Sequence, residues 1–326
     1  MSILKFTVGG ILLFLPCFSM VYGQELPVFN QYFFNEFLIN PAAAGSDGYT
    51  TICLTADEQM TGIKGAPKTH SINFQTRLYN NSFIRRDVPV RRKYKHAQRR
   101  GRVGLGANIL YDWNGIFERT SGKFSYAYHI TVRASQFSFG LALKLSYLGI
   151  NEKRMVLSET SSYLEDKDIN VLISPDYTAG IYYSSKQLNV GISVDNLMQS
   201  AISYTSYPSS HNFKRVVNIT AGYRSQLNSN FMIEPSFYFR TANFDSYQFD
   251  VGLRTFYKDD FWFGASYKTG NIISYLGGVK INRIYIGYLY NNCGSALSKY
   301  TYGNYELMIA LKLGDNSRRY RWLRRY

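Results

Sequence analysis

The chain has 326 residues, a formal net charge of +15, 29 Tyr and 22 Phe, and only three Cys. This aromatic content is unusual for a water-soluble domain, and the positive charge bears on partners and surfaces rather than on the fold. Beyond residue 23 no run of about 18 apolar residues occurs, which excludes a membrane-spanning helix in the rest of the chain.

Residues 1–23 have the layout of a secretory signal peptide. Lys5 precedes an uncharged apolar stretch from Phe6 to Tyr22, and Gly23 is a small residue suited to cleavage. A retained membrane helix is the alternative, but Pro16 and the polar residues after the stretch disfavour it. The pattern therefore predicts export, with a mature chain that starts at residue 24.

Residues 24–48 form an aromatic N-terminal segment that includes Pro41 and Gly45. Strand-like alternation does not reach this segment, and it is too apolar for a solvated tail. Two interpretations stay open. The segment is either a leader against the rim of the folded domain or a plug in its lumen, with Tyr32, Asn40 and Pro41 contacting the interior.

Residues 49–314 show repeated alternation with a period of two. Between 247 and 257 the odd positions are mostly apolar, whereas the even positions include Gln248, Asp250 and Arg254. Such alternation indicates strands with one apolar and one polar face. A soluble sandwich gives the same signal. Segments of about ten residues, aromatic residues near their ends and the export signal favour a transmembrane barrel.

The segment count predicts an all-β fold, a closed antiparallel transmembrane β-barrel of about 14 strands in the outer membrane. An even number puts both termini on the periplasmic side, and tight turns at one end with long loops at the other fit the outer-membrane pattern. The predicted strands are 49–60, 67–79, 102–113, 118–131, 136–150, 176–185, 188–198, 213–227, 230–242, 246–257, 260–269, 272–282, 283–292 and 304–314.

The polar strand faces are predicted to line the lumen, with Asp250, Arg254, Glu306 and Lys312 among them. Mixed charges on such a wall most often form internal ion pairs, and a selective pore lining is the alternative. The predicted lipid-facing residues are Phe137, Phe139, Leu141, Val217, Ile219, Phe249, Val251, Leu253, Leu307 and Ile309.

Two basic stretches interrupt the pattern, an insertion at 80–101 and a C-terminal tail at 315–326. Strand counting assigns both to the periplasmic side, where they are predicted to form one positive patch. An acidic periplasmic protein, anionic lipid headgroups or the cell wall would suit this patch, and nucleic acid is not expected there. A solvated charge run is the alternative. The predicted partner-binding residues are Arg85, Arg86, Arg91, Arg92, Lys93, Lys95, Arg99, Arg100, Arg102, Arg318, Arg319 and Arg321.

Residues suited to catalysis or metal binding are few. The four His lie in unrelated segments and no Cys-x₂-Cys pair exists, so neither a metal site nor a cofactor is predicted. His129 near Ser125 or Ser135 is the one Ser-His arrangement worth considering, and a structural histidine near a turn is the favoured interpretation. Cys53 and Cys293 are predicted to be packed side chains, with a disulfide left open. We expect no enzymatic activity.

Several short motifs stand in order along the chain. They are Phe29-Asn30-Gln31-Tyr32, Asn35, Ile39-Asn40-Pro41-Ala42, Ala44-Gly45, Gly65-Ala66-Pro67-Lys68-Thr69, Asp195-Asn196-Leu197, Phe261-Trp262-Phe263-Gly264-Ala265-Ser266-Tyr267, Gly287-Tyr288 and Glu306-Leu307-Met308. Over about residues 26–314 their order and spacing resemble the PorP/SprF family, outer-membrane components of the type IX secretion and gliding machinery. Two departures are Met60, where the family usually has Trp, and the insertion at 80–101.

The resemblance implies a protein that holds other proteins at the outer membrane. The partner would be another secretion component, a surface adhesin or a periplasmic peptidoglycan-binding lipoprotein. A diffusion channel for a small or hydrophobic solute is the alternative function. The family-motif positions that the resemblance marks, several of them in the possible plug, are Gln31, Tyr32, Asn35, Asn40, Pro41, Gly45, Gly65 and Pro67.

Overall fold

The structure, a computed structural model, describes residues 31–78, 102–115, 117–132, 135–150, 174–204, 207–293 and 300–313. The predicted signal peptide, the basic insertion and the C-terminal tail lie outside these residues. In the described part, no helix is long and apolar enough to cross a bilayer.

Fourteen antiparallel strands close into one barrel, with the first and last strands paired from Thr50 opposite Leu313 to Glu58 opposite Tyr305. The barrel strands are β1 Thr50–Glu58, β2 Lys68–Leu78, β3 Val103–Asn114, β4 Phe117–Val132, β5 Ser135–Ile150, β6 Ser174–Ser184, β7 Leu188–Asp195, β10 Val216–Tyr223 with its short extension β11 Ser225–Gln226, β12 Phe231–Ala242, β13 Ser246–Tyr257, β14 Phe261–Lys268, β15 Ile272–Ile281, β16 Ile284–Cys293 and β17 Asn304–Leu313. Two further strands, β8 Ala201–Tyr204 and β9 Tyr207–Asn212, form a separate hairpin.

The two ends of the barrel differ in their connections. We name the end where β1 begins and β17 finishes the terminal end, and the opposite end the loop end. The terminal end has tight turns, such as the two residues between β15 and β16, while the β8–β9 hairpin lies in a connection at the loop end. The outer-membrane pattern of short periplasmic turns and longer outer loops assigns the terminal end to the periplasm.

Strand alternation separates an apolar outer face from a polar inner face. In β1, Thr51, Thr55 and Asp57 are buried, whereas Ile52 and Leu54 between them are exposed. This arrangement is the reverse of a water-soluble protein, and it suits an outer face that is covered by lipid.

The ten predicted lipid-facing residues all lie on this outer face. Eight of them are exposed, among them Leu141 at 64% and Leu253 at 52%, and Val217 and Ile219 are partly buried. The same face carries aromatic side chains near both ends of the barrel, such as Tyr147 at the loop end and Phe261 at the terminal end. Aromatic side chains at both interfaces are typical of outer-membrane barrels.

The predicted strands are confirmed in number and lie within a few residues of the observed ones. The β8–β9 hairpin is an exception, because the sequence analysis does not predict it. Its strands of four and six residues contain too few alternating positions for a period-two signal. The second strand also contains Pro208, a residue type that argues against a strand when only the sequence is known.

The main apolar clusters lie where residues 31–48 meet the inner wall. In one cluster Phe33 and Phe34 pack against buried side chains that include Trp262 and Met308. In another, Tyr32 and Ile39 pack with Tyr238. The core of this barrel is therefore built from its own N-terminal segment together with inward-facing strand residues.

Candidate functional site in the barrel lumen

Residues 31–48 follow an irregular path along the inner wall before the chain enters β1. The path contains two short 3₁₀ helices, Glu36–Leu38 and Pro41–Ala43. Most of its side chains are buried, and Ala42 and Ala44 are fully enclosed. Of the predicted family-motif positions, Gln31, Tyr32, Asn35, Asn40, Pro41 and Gly45 lie in this segment and are buried.

Asn40 fixes the turn of the segment, residues 39–45, which we name the Asn-Pro turn. Its side-chain oxygen accepts from the Ala42 backbone N–H at 3.0 Å and thereby caps the second 3₁₀ helix. Its Nδ2 donates to the carbonyls of Ile181 at 2.9 Å and Ile192 at 3.2 Å. One side chain therefore links the turn to both β6 and β7.

Glycines on β3, β5 and β6 leave room for the Asn-Pro turn. A Cβ atom added to Gly104 would lie 2.0 Å from the Ala44 carbonyl oxygen, and one added to Gly140 would lie 2.2 Å from the Ala42 nitrogen. At Gly180 it would lie 2.1 Å from Asn40 Oδ1. We name these three residues the glycine track, because the turn approaches the wall closely at each of them.

Gly45 ends the Asn-Pro turn with a backbone that a side chain would strain. Its φ is +65°, and an added Cβ would lie 2.7 Å from the Thr76 carbonyl oxygen. Its N–H donates to Gln75 Oε1 at 3.0 Å. Glycine at this family-motif position is therefore required both by conformation and by space.

His129 joins the turn to the wall. Its Nε2 lies 3.0 Å from the Ala44 carbonyl oxygen, which can only accept, so the ring carries its proton on Nε2. Nδ1 then accepts from the Ser138 hydroxyl at 2.8 Å. Strand register sets His129 opposite Ser138, so neither Ser125 nor Ser135, the serines considered from the sequence, is its partner across the strands. His129 and Ser138 are both fully buried, which fits a structural role for the histidine.

Residues 31–34, which we name the aromatic stretch, contact the opposite part of the wall. Tyr32 packs on Tyr238 with ring centroids 4.7 Å apart, and Phe34 packs on Trp262 at 4.6 Å. The Arg254 guanidinium lies 3.6 Å from the Phe33 ring centroid, within cation–π range.

Gln31 and Glu36 attach the segment to the wall through polar contacts. The Gln31 backbone N–H donates to the Glu306 carboxylate at 3.1 Å. The Glu36 carboxylate accepts from the Tyr182 hydroxyl and from Asn189 Nδ2. Glu306 is thus an inward-facing residue that binds the segment directly.

Buried ion pairs surround the aromatic stretch. The Glu234 carboxylate pairs with Arg254 at 2.9 Å and with Arg224 at 2.5 Å, and both Glu234 and Arg254 are buried. Elsewhere on the wall Lys268 Nζ lies 3.7 Å from Asp250. Burying charge is costly unless opposite charges meet, so this arrangement depends on every partner being present.

Lys312 pairs with Asp47 at 3.2 Å and ties the end of the segment to β17. Of the four predicted lumen residues, Asp250, Arg254 and Glu306 are thus buried within the wall, and Lys312 is partly exposed near the terminal end.

A cavity of about 120 Å³, which we name the loop-end chamber, lies between the segment and the loop end. Its lining includes Tyr32, Leu38 and Ile39 of the segment, together with wall residues from β3, β4, β5, β7, β10 and β12. Four of these wall residues are cationic, Arg119, Lys123, Lys144 and Arg240, and one is acidic, Asp195.

The remaining predicted positions are not brought to the lumen. Gly65 and Pro67 lie in the β1–β2 connection at the loop end. Of the predicted basic partner-binding residues the structure describes Arg102, which is exposed and donates to the Tyr128 hydroxyl at 3.0 Å. The others lie outside the described residues. Cys53 is a buried free thiol.

Sequence reasoning missed several residues that hold the segment. Glu36, Tyr182 and Asn189 form one contact group, and the glycine track forms another. His129, for which the sequence favours a structural role, also contacts the segment. Alternation would have identified the inward-facing members, but no sequence pattern pairs them with an irregular segment. Across the described residues, no group of three or more His, Cys, Asp or Glu could hold a metal ion.

The closed sheet, its apolar outer face and its aromatic ends define an outer-membrane β-barrel protein. A family model described as type IX secretion system membrane protein PorP/SprF matches residues 21–311. This match spans nearly the whole barrel and the segment inside it, and the chain belongs to that family. No curated protein matches the chain significantly.

The chain is also similar to several solved structures at low sequence identity. The chain is similar to the outer membrane protein Omp33 of Acinetobacter baumannii, with 8% identity, a TM-score of 0.45 and coverage of 82% of this chain and 100% of that one. It is also similar to a deletion mutant of the monoaromatic hydrocarbon channel TodX, with 9% identity, a TM-score of 0.42 and coverage of 85% of this chain and 92% of that one. A triple mutant of the Rhodopseudomonas blastica porin has 6% identity to this chain and a TM-score of 0.34, with coverage of 81% of this chain and 99% of that one.

Proposed function

We propose that the chain is a non-enzymatic component of the type IX secretion or gliding machinery that anchors a partner protein or helps to export it. The partner is a surface adhesin or a periplasmic peptidoglycan-binding lipoprotein. The observation that carries the proposal is the seating of residues 31–48 against the inner wall, in a chain of this secretion family.

The segment acts in this proposal as a built-in plug. It contacts β6 and β7 through Asn40, β4 through His129, and β17 through Gln31. A solute that passed through the lumen would have to displace these buried contacts. The arrangement therefore favours a closed barrel that presents surfaces to partners over an open pore.

The basic insertion at 80–101 and the tail at 315–326 are the proposed periplasmic contact surface. Clustered Lys and Arg attract acidic surfaces and raise association rates. Arg102, exposed at the terminal end next to the insertion, fits a surface on that side of the barrel. An acidic periplasmic protein is the partner chemistry we propose for this surface.

A diffusion channel is the second candidate. Polar and charged side chains on the inner wall and the loop-end chamber favour it, because water-filled lumens of porins are polar. In that function the segment would have to leave the lumen or open a path beside it.

One purification and one flux assay separate the two candidates. We expect tagged protein extracted from its native membrane to co-isolate an exported protein or a periplasmic lipoprotein, and reconstituted protein to pass no small solute. A variant lacking residues 31–45 is the control that should raise flux if the barrel still folds. Solute flux through intact protein, with no partner co-isolated, would contradict the anchoring function and support the channel.

A further inference from the structure

Gln31 lies near the loop end of the lumen, although the segment that it begins enters β1 at the terminal end. Its backbone N–H donates to the Glu306 carboxylate at 3.1 Å, and its Nε2 donates to the Glu306 carbonyl oxygen at 3.4 Å. Glu306 is two residues from Asn304, where β17 begins at the loop end, and seven from Leu313 at the terminal end. Because the backbone nitrogen of residue 31 makes this bond, the chain before residue 31 departs from beside Glu306.

An apolar cluster lies between Gln31 and the terminal end. Met308 faces inward on β17, on the terminal side of the Gln31 contact, and it belongs to the same buried cluster as Trp262. Phe33 and Phe34 pack against this cluster from within the lumen. A polypeptide that ran through it would leave backbone N–H and C=O groups without partners in an apolar environment, which is costly. The path that remains for the chain before Gln31 leads toward the loop end.

The wall on the loop side of Gln31 contains buried polar atoms without partners. Asp57 Oδ1 on β1, Ser274 Oγ on β15 and Asn291 Oδ1 on β16 have no hydrogen-bond partner among the described residues. All three residues are more than nine-tenths buried, and each stands within two residues of the loop-end limit of its strand. A carboxylate oxygen and an amide oxygen can only accept, and leaving them unpaired in a buried place costs free energy. These atoms require donors from another part of the chain.

We infer that residues 24–30 lie against this loop-side wall and that the chain leading to Gln31 enters the lumen from the loop end. Except for Pro27, every residue of this stretch has a backbone N–H that can donate to the unpaired acceptors. The inference does not depend on the proposed anchoring function.

The length of the stretch fits this path. Seven extended residues span at most about 25 Å, whereas the two residues of β17 between Glu306 and the loop end rise about 7 Å. Residues 24–30 are thus long enough to pass the rim of the barrel. Cleavage after Gly23, which the sequence predicts, would then leave the N-terminus of the processed chain at the cell surface. Strand counting alone assigns that terminus to the periplasm.

An epitope with a Gly-Ser linker, inserted between Gly23 and Gln24 of the full-length chain, tests the direction of the N-terminus. We expect an antibody, which cannot cross the outer membrane, to bind this epitope on intact cells. The same epitope after Lys64, exposed in the β1–β2 connection at the loop end, should bind in the same way. After Asn282, exposed in the β15–β16 turn at the terminal end, it should bind only in permeabilised cells.

A denaturing immunoblot shows that each chain keeps its epitope, and heat-modifiable migration in gel electrophoresis shows that the barrel forms. Antibody binding to the N-terminal epitope only after permeabilisation, or in neither state, would overturn the inference. Binding on intact cells after Asn282 but not after Lys64 would reverse the orientation of the barrel and overturn the cell-surface location too.

A cysteine variant replaces the epitope if the tagged chain does not fold. Glu25→Cys, in a chain with Cys53→Ser and Cys293→Ser, is treated with a maleimide that does not cross membranes. We expect labelling on intact cells, as for Lys64→Cys in the same background. Labelling only after permeabilisation, as expected for Asn282→Cys, would overturn the inference.

The seat of residues 24–30 is tested through Asp57→Asn, which places an amide where the unpaired carboxylate oxygen stands. We expect a lower thermal unfolding midpoint in the full chain and a smaller decrease in a chain that lacks residues 24–30, because two contacting sites are not additive. Glu58→Gln alters an exposed pair with Lys68 and should shift both chains equally. Equal decreases from Asp57→Asn in both chains would overturn the seat. Ser274→Ala serves the same comparison if Asp57→Asn does not fold.

Discussion

The Asn-Pro turn and the aromatic stretch hold the same N-terminal segment by different means. In the turn, backbone meets backbone at Gly104 and Gly140, and the Asn40 side chain lies against Gly180. Hydrogen bonds from Asn40 and His129 reach main-chain carbonyls. In the aromatic stretch, rings and a guanidinium meet side chain to side chain, beside buried ion pairs.

The Asn-Pro turn and the aromatic stretch respond differently to amino-acid substitutions. Close backbone approach leaves no room for an added methyl group, so the turn tolerates little variation in its wall. Side chains can adopt other rotamers, so the aromatic stretch adapts to changes in shape, but it depends on complete charge pairing. The turn is specified by steric fit and the stretch by electrostatics.

The largest loss of stability is expected from Glu234→Gln, which tests the electrostatic contacts of the aromatic stretch. It removes a carboxylate that pairs with both Arg224 and Arg254. Loss of one member of a buried ion network destabilises by about 3–5 kcal/mol, and chemical unfolding should report a loss of that order. Glu58→Gln is the control, since its pair with Lys68 is exposed and worth about 0–1 kcal/mol. Equal losses in both variants would show that Glu234 has no special role.

A smaller loss of stability is expected from Gly104→Ala, which tests the steric fit of the Asn-Pro turn. The new methyl group would meet the Ala44 carbonyl, so the Asn-Pro turn should move away from the wall. Overpacking of this kind costs about 1–3 kcal/mol, and limited proteolysis should cut the segment faster. Gly122→Ala is the matched control, because an added Cβ there meets nothing within 4 Å. Unchanged proteolysis of Gly104→Ala relative to this control would contradict the steric account.

Asn40→Ala removes the polar contacts of the turn and leaves its wall unchanged. Unsatisfied buried groups cost about 1–3 kcal/mol, which should appear as a lower unfolding midpoint. Asn40→Asp should be worse, because a carboxylate would face the carbonyls of Ile181 and Ile192 in place of an amide donor. Asn114→Ala at the exposed end of β3 is the control. A milder effect of Asp than of Ala would mean that the amide does not act as a donor.

The smallest effect on stability is expected from charge reversal in the basic insertion. Changing Arg91, Arg92, Lys93 and Lys95 to Glu should leave the barrel folded and reduce co-isolation of a periplasmic partner. Added salt should reduce co-isolation of the original protein too, because exposed charges are screened beyond about 8 Å at physiological ionic strength. Lys64→Glu at the loop end is the control, and wild-type partner yield in the fourfold variant would identify the insertion as a solvated loop.

Strand alternation predicts most of the barrel because each strand shows its two faces in its own residues. Phe249 and Asp250 are assigned to opposite faces by position alone, and the structure agrees. The contacts of residues 31–48 could not be predicted in the same way. Asn40 meets Ile181 and Ile192 across more than 140 positions of sequence, and this pairing depends on barrel closure rather than on any local pattern.

The direct connection of the segment to β1 has a consequence for folding. Strand β1 pairs with β17, and the Gln31 backbone binds Glu306 of that last strand, 275 positions away. The barrel can therefore close only after its final strand has been delivered, and the contact between Gln31 and Glu306 can form only from that point on. Contacts of such large sequence separation form slowly. Residue 31 therefore reaches its final environment only once the last strand is present, although it belongs to the N-terminal segment.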